Sequence, residues 1–367
     1  MNQLPECFFT TPIVYAVGKN YQIMVPVKSE TLMWVKIGNR TFYDESNGVL
    51  RSDCTTHRVT VPMGILDAAR KYTVCYRVVK NRKPYFPEVG DVEEYESVFR
   101  PVEREPICLY HIADAHNAVE KPVAAGGFFG DRLDLLVLNG DIPNHSGDIS
   151  YFNTVHEIAS RITKGEIPVV FSRGNHDMRG IYAERFWEYT PTEQGNTYYT
   201  FRLGALWGVV LDCGEDKSDD HPEYGGTICC HAFRERQTAF LKSLIANSKN
   251  EYDAAGVKYR VVVVHNPFTE TFDAPFDIEQ EEFGRWTQLL REHIKPCVML
   301  SGHVHRCYIS ENGGAHDHKG QPCPVIVASD PRNDGYVGGA ITLDGKTCNV
   351  KFTDHEGKIR AEETLEF

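Results

Sequence analysis

The sequence predicts a chain of two unlike parts, an immunoglobulin-like β-sandwich over residues 1–102 followed by an α/β domain over residues 103–367. Two observations carry that expectation. Up to about residue 99 the chain is a series of short alternating or aromatic-rich segments cut by turn residues, the pattern of a small β-sandwich. Beyond Pro106 the order changes to apolar run, loop, amphipathic helix and apolar run, which is how right-handed crossovers cover a largely parallel sheet. A chain of 367 residues, 41% hydrophobic and 25% charged, has the size and composition of a two-domain globular protein.

In the first part, Ile13 to Val17, Tyr21 to Val27, Leu32 to Ile37, Arg40 to Tyr43, Arg58 to Val61, Tyr72 to Val79 and Tyr95 to Phe99 read as strands. Gly38-Asn39 suits a hairpin turn. Tyr72, Val74, Tyr76 and Val78 fall on one face because side chains alternate along a strand. No metal-ligand cluster or acid/base pair stands out, so this part reads as a packing or positioning module. The polar stretch from Phe99 to Pro106, punctuated by Pro101, marks the boundary.

In the second part, Ile107 to Ala113, Leu133 to Leu138, Ile167 to Phe171, Val261 to Val264 and Cys297 to Leu300 are apolar runs that read as buried parallel strands. Tyr151, Val155, Ile158 and Ile162 share a helical face closed by Gly165; Phe240, Leu241, Leu244 and Ile245 mark a helix from Glu235 to Ala246; Phe283, Trp286, Leu290 and Ile294 mark another. The segments Val325 to Ala328 and Ala340 to Leu343 are expected in a second sheet packed on the first. Gly214 to Cys230 is a long acidic loop whose Asp219, Asp220 and His221 read as solvated.

The formal net charge of -12 argues against a nucleic-acid partner, which needs a basic footprint to displace counterions. Met1 to Thr10 has neither the basic stretch nor the apolar core of a secretory signal, and no run reaches the roughly 18 apolar residues of a membrane span. The 11 cysteines are scattered without a Cys-x-x-Cys pair and read as reduced thiols. A cytoplasmic protein with no membrane partner is expected.

Each of the five apolar runs ends in a polar cluster: Asp114-Ala115-His116, Gly140-Asp141, Gly174-Asn175-His176-Asp177, His265-Asn266 and Gly302-His303-Val304-His305. Ligands bind at the carboxyl ends of such strands, so these groups are expected on one edge of one sheet. Asp114 and His116, two residues apart, would project to the same side and hold one ion. Asp141, with two carboxylate oxygens, is the natural bridge to a second ion, for which Asn175 offers a neutral amide oxygen. His265, His303 and His305 complete two mixed nitrogen and oxygen shells. Such shells suit Zn, Mn or Fe rather than Ca or Mg, and the absence of cysteine argues against a structural zinc site. Two adjacent cations of this kind activate a bridging water for attack on phosphorus. His176 is free to protonate the leaving oxygen, with Asp177 expected to orient it and Arg173 to steady a phosphate oxygen.

This motif series resembles that of the calcineurin-like metallophosphoesterases, from about Pro106 to the end of the chain. The resemblance implies a four-layer α-β-β-α sandwich with two facing sheets. It places one metal on Asp114, His116, Asp141 and His305 and the other on Asp141, Asn175, His265 and His303, with Asn175 and His303 also near the substrate. The leading β-sandwich and the Val262-x-x-His265 spacing are similar to the purple acid phosphatases. That family has a metal-binding tyrosine where this chain has Asn144, and a glycine where it has His116, so no tyrosinate-to-iron colour is expected. The expected function is hydrolysis of a small-molecule phosphomonoester or phosphodiester by a metal-bridging hydroxide. A cyclic-nucleotide or other nucleotide phosphodiesterase is the alternative, and a non-catalytic binding protein acting through the sandwich is a third.

Overall fold

The computed structural model describes residues 3–332 and 335–367. Its larger sheet has nine strands in the order Ile359–Glu366, Thr347–Asp354, Val337–Asp344, Ile107–Ile112, Leu135–Asn139, Pro168–Ser172, Ile13–Val17, Asn20–Pro26 and Thr56–Pro62. A six-stranded sheet runs Tyr199–Leu203, Leu206–Leu211, Tyr259–Val264, Val298–Ser301, Val325–Val327 and Tyr308–Ser310.

Alternation along the strands sets the layers. In Leu206–Leu211, Leu206 and Val210 belong to the core shared with the larger sheet, whereas Trp207, Val209 and Leu211 pack with Leu241, Leu244, Phe283 and Trp286 of the helices Cys230–Ala246 and Gln280–Leu289. The helix Ile149–Thr163 packs on the strands Leu135–Asn139, Pro168–Ser172 and Ile13–Val17 through a stripe that includes Phe152, Val155, Ile158 and Ala159. Asp148 caps its start by accepting from the Ser150 N–H at 2.8 Å. Its end falls on Lys164, left-handed at φ 56°, one residue ahead of Gly165. The result is a four-layer α-β-β-α sandwich with a β-rich N-terminal region.

Three expectations about sheet membership are corrected. The five strands that lead into polar clusters divide between the sheets: those ending near Asp114, Asp141 and Asn175 lie in the larger, and those ending near His265 and His303 in the smaller. A buried apolar run reads the same in either sheet, so periodicity does not assign it. The C-terminal strands divide too. Val325–Val327 joins the smaller sheet, while Val337–Asp344 pairs antiparallel with Ile107–Ile112 in the larger.

The N-terminal hundred residues are likewise shared. Ile13–Val17 pairs in parallel with Pro168–Ser172, through Val14 opposite Pro168 and Tyr15 opposite Val169, so three early strands continue the larger sheet. Thr31–Ile37, Arg40–Tyr43, Lys71–Asn81 and Glu93–Val98 form a separate sheet whose Met33, Val35, Val74 and Tyr76 pack in the same core as Ile23, Val25 and Val59. A short helix, Met63–Ala69, joins the two groups and was not foreseen. Among the described residues no helix is long and apolar enough to cross a membrane.

The joint between the two regions is held by hydrogen bonds and by buried apolar side chains. Gly18 N–H donates to Thr200 O at 2.7 Å, Arg100 N–H to Glu166 O at 2.7 Å, and Gln22 Nε2 to Thr192 O at 2.7 Å. Ile13, Val14, Ile23 and Val25 are fully buried. Each is worth about 1.5–3 kcal/mol, so together they rival the whole stability of a domain, roughly 5–15 kcal/mol. A chain beginning at Val102 is therefore expected to lack a cooperative thermal transition by circular dichroism. A melt with the full-length midpoint would show that the early strands are dispensable.

Candidate metal centre

The polar clusters sit in turns that leave the sheets, and the backbone there is unusual. Asp114, His116, Asp141, His303 and His305 all have left-handed φ, between 44° and 70°. Asp and His tolerate this region better than most residues, yet it stores strain. The loops hold one another in that shape: Asp114 N–H donates to Gly140 O at 3.0 Å, His116 N–H to Asp141 O at 3.0 Å, and Gly302 N–H to His265 O at 2.8 Å. Because the first strand ends at Ile112, Asp114 and His116 converge through this turn rather than through strand alternation.

All seven residues expected as ligands come together. Donor atoms of Asp114, His116 and His305 lie within 4.8 Å of one another, as do those of Asp141, His265 and His303. Asp141 also groups with His116 and His176, which puts it between the two sets. Asn175 Oδ1 is 3.0 Å from His303 Nδ1. His265 Nε2 faces Asp141 Oδ2 at 3.1 Å and Asp114 Oδ1 at 3.7 Å, and His305 Nε2 faces Asp114 Oδ1 at 3.4 Å.

The donor set fits cations. His265 Nδ1 donates to the Asn139 carbonyl at 2.6 Å, which fixes the tautomer and leaves Nε2 a lone pair aimed at two buried carboxylates. That buried Nε2 finds only carboxylate oxygens within reach, and His116 Nδ1 has no hydrogen-bond partner. A lone pair held against anionic oxygens is stable only with a proton or a metal between them. Burial keeps His303 neutral, down at about 4, which is the form that ligates.

Two glycines make this approach possible. A Cβ on Gly174 would stand 2.2 Å from Asp141 Oδ1, and one on Gly140 would stand 2.6 Å from the His265 ring. Asn139 is a support that the sequence reading missed. Its Nδ2 donates to Leu300 O at 3.0 Å and to Val264 O at 3.3 Å, and lies 3.0 Å from His111 Nε2, tying the larger sheet to two strand ends of the smaller beneath the cluster. A polar residue closing the apolar run before Gly140-Asp141 was the available signal.

The remaining expected residues fare differently. His176 stands over the cluster, its ring 4.8 Å from that of His116, with Nδ1 donating to Asn144 O at 2.9 Å. Asp177 does not orient it: Oδ2 accepts instead from the Gly174 N–H at 2.6 Å and the Asp141 N–H at 3.2 Å, pinning the turn. Burial, then the Asp141 charge, pushes the Asp177 carboxyl well up. Arg173 is taken up by the fully buried Asp212, Nε to Oδ2 2.7 Å, and by the face of Phe233, so its guanidinium is committed to packing. Arg179, overlooked in the sequence, places Nη1 3.2 Å from His176 Nε2. In the acidic loop, Asp219 caps the helix Cys230–Ala246, accepting from Cys230 N–H at 2.9 Å and His231 N–H at 3.0 Å.

The expectation that the first hundred residues hold no chelating cluster is also corrected, since Asp44, Cys54 and His57 lie within 4.8 Å of one another. There Asp44 Oδ2 is only 2.7 Å from His57 Nδ1, where a cation would have to sit. Burial and the Asp44 charge push the Cys54 thiol up to about 12. The trio is a hydrogen-bonded pin between a turn and the strand Thr56–Pro62. All 11 cysteines are unpaired.

Residues 106–307, just over half of the chain, match the family model of the calcineurin-like phosphoesterases. The chain belongs to this family and is a phosphoric ester hydrolase. Among solved structures it is similar to PhoD, with a TM-score of 0.59 and 11% identity over 100% of this chain and 92% of that one. It is similar also to the purple acid phosphatase PPD1 from yellow lupin (Lupinus luteus) seeds, with a TM-score of 0.58 and 12% identity over 97% of this chain and 74% of that one. At these identities the likeness is one of fold. A search of curated protein sequences gives no match.

Two expectations test the centre. Gly174→Ala should weaken zinc binding roughly 10- to 100-fold, the usual scale for disturbing a ligand's support, as followed by calorimetric titration. Unchanged affinity would mean that the close approach to Asp141 is not needed. In metal-free protein, burial opposes charge on His265, but Asp141 and Asp114 outweigh it and lift the pKa from 6.5 to about 10. A raised folded-state pKa gives stability that is complete below about pH 6.5 and lost as pH climbs through about 10. The urea midpoint of chelator-treated protein should accordingly fall more steeply over that window in the wild type than in His265→Gln; equal slopes would contradict it.

Proposed function

We propose that the chain hydrolyses a phosphate ester at a two-cation centre, with Asp114, His116, Asp141 and His305 holding one ion and Asp141, Asn175, His265 and His303 the other. The observation that carries this is Asp141, whose carboxylate stands between both groups of donors while the only ion-pair partners of Asp114 and Asp141 among the described residues are histidines. Zn, Mn or Fe suits such mixed shells. When bound, the ions would lower the pKa of a shared water and neutralise charge on the phosphoryl oxygens.

The chain's own residues do the rest. Asn139 orients His265, and Asp177 holds the Gly174 turn so that Asn175 and His176 face the cluster. His176, held at Nδ1 by the Asn144 carbonyl and approached at Nε2 by Arg179, takes up a proton at Nε2 to serve as the general acid for the leaving oxygen. Asn175 and His303 line the same face and meet the substrate there.

His176→Ala should lower kcat by about 10²–10⁴-fold, with a loss that grows as the leaving group becomes poorer. Asn175→Ala should lose activity together with metal affinity. A screen of metal-loaded protein over aryl phosphates, bis-aryl phosphates and cyclic nucleotides measures both and assigns the ester class. If no Zn, Mn or Fe form hydrolyses any of them, the proposal fails.

A further inference from the structure

The mechanism above leaves one charged side chain at the site without a task. Arg179 closes the 3-10 turn His176–Met178 that follows Asn175. Its Nη1 lies 3.2 Å from His176 Nε2, and the His176 ring itself contacts that of His116. Among the described residues no lysine or arginine forms an ion pair with Asp114 or Asp141.

Arg179 is held rigidly. Its Nε and Nη2 donate to the two oxygens of Glu215, at 2.9 and 2.8 Å, a fork that fixes the plane of the guanidinium. Glu215 is itself 2% exposed. Tyr224 OH donates to Glu215 Oε2 at 3.2 Å, and the fully buried Arg234 donates through Nη2 to Glu215 O at 2.6 Å. The Nε–Nη2 edge of the guanidinium is thus committed to a buried carboxylate, while Nη1 stands beside His176 Nε2, a contact that uses only one of its two N–H groups. The Arg179 side chain keeps 29% of its surface open to solvent, so a substrate can reach it. A lone surface arginine would not need a buried acid to aim it.

We propose, on the basis of the hydrolase reading, that Arg179 contacts a non-bridging oxygen of the bound phosphoryl group beside His176, with Glu215 as its positioning residue. The Arg179 donor is preorganised before substrate arrives, and would add to the charge neutralisation that bound cations would supply. Arg173, three residues before His176, has its Nε paired with the buried Asp212 instead.

Three measurements test the assignment on full-length, metal-loaded protein. Arg179→Ala should weaken binding of inorganic phosphate by roughly 10- to 100-fold, the scale of one charge-assisted hydrogen bond, as read by calorimetry. It should lower kcat/KM by about 10²-fold, equally for good and poor leaving groups, with partial recovery on adding millimolar guanidinium. Arg179→Lys, which keeps charge and bulk, should retain an intermediate affinity, and Glu215→Gln should raise KM more than it lowers kcat. If the Arg179→Ala loss instead grows with leaving-group pKa, as for His176→Ala, Arg179 acts only through His176 and the assignment falls. It falls equally if Arg179→Ala and Arg179→Lys bind phosphate and turn over as the wild type does. A wild-type protein that neither binds phosphate nor turns over any ester would instead overturn the hydrolase reading itself.

Discussion

The structure depends on the burial of two carboxylates, Asp114 and Asp141, against one another's histidines. Both are at most 1% exposed, and burying an unpaired charge costs several kcal/mol even after relaxation. Among the described residues no lysine or arginine pairs with either. The counter-charge has to come from imidazolium or from metal, and His265, locked at Nδ1 by a backbone carbonyl, shows which groups the fold keeps ready to ligate. The sheet ends, the glycine turns and the Asn139 tie between the sheets all serve to hold these groups where cations can reach them.

That arrangement is strained, and the strain is shared with the rest of the fold. Five of the candidate ligands, Asp114, His116, Asp141, His303 and His305, adopt left-handed backbone, each at a cost of about 1–3 kcal/mol when not glycine. Such turns persist only because the strands behind them are buried on both faces and their loops bond to each other. The N-terminal strands belong to the same support, since they continue the larger sheet beyond Pro168–Ser172. A β-rich leader that looks like an appendage in the chain is part of the platform from which Asn175 and His176 project.

The convergence of the candidate ligands was legible because Asp and His are rare directly after long apolar runs, and Gly-Asn-His-Asp or Gly-His-Val-His patterns have few other uses. The strands and main helices were legible for the same reason of contrast. Sheet membership was not, because Val261 to Val264 and Leu133 to Leu138 look alike although they lie in different sheets. Nor were the roles of neighbouring charges. Arg173 and Arg179 flank the same motif, and only the positions of Asp212 and Glu215, brought in by the smaller sheet and its loop, decide which one packs and which one faces the site. Asp177 was assigned to His176 by adjacency, whereas the tight turn points its carboxylate the other way.

In the proposed centre Asp141 is shared between two cations. Elemental analysis of zinc- or manganese-loaded protein, beside an Asp141→Ala variant shown to be folded, tests it most directly. Two ions per wild-type chain, with loss from both positions in the variant, is the predicted result. A wild-type chain that retains no ion, or a variant that keeps the full wild-type complement, would contradict the account.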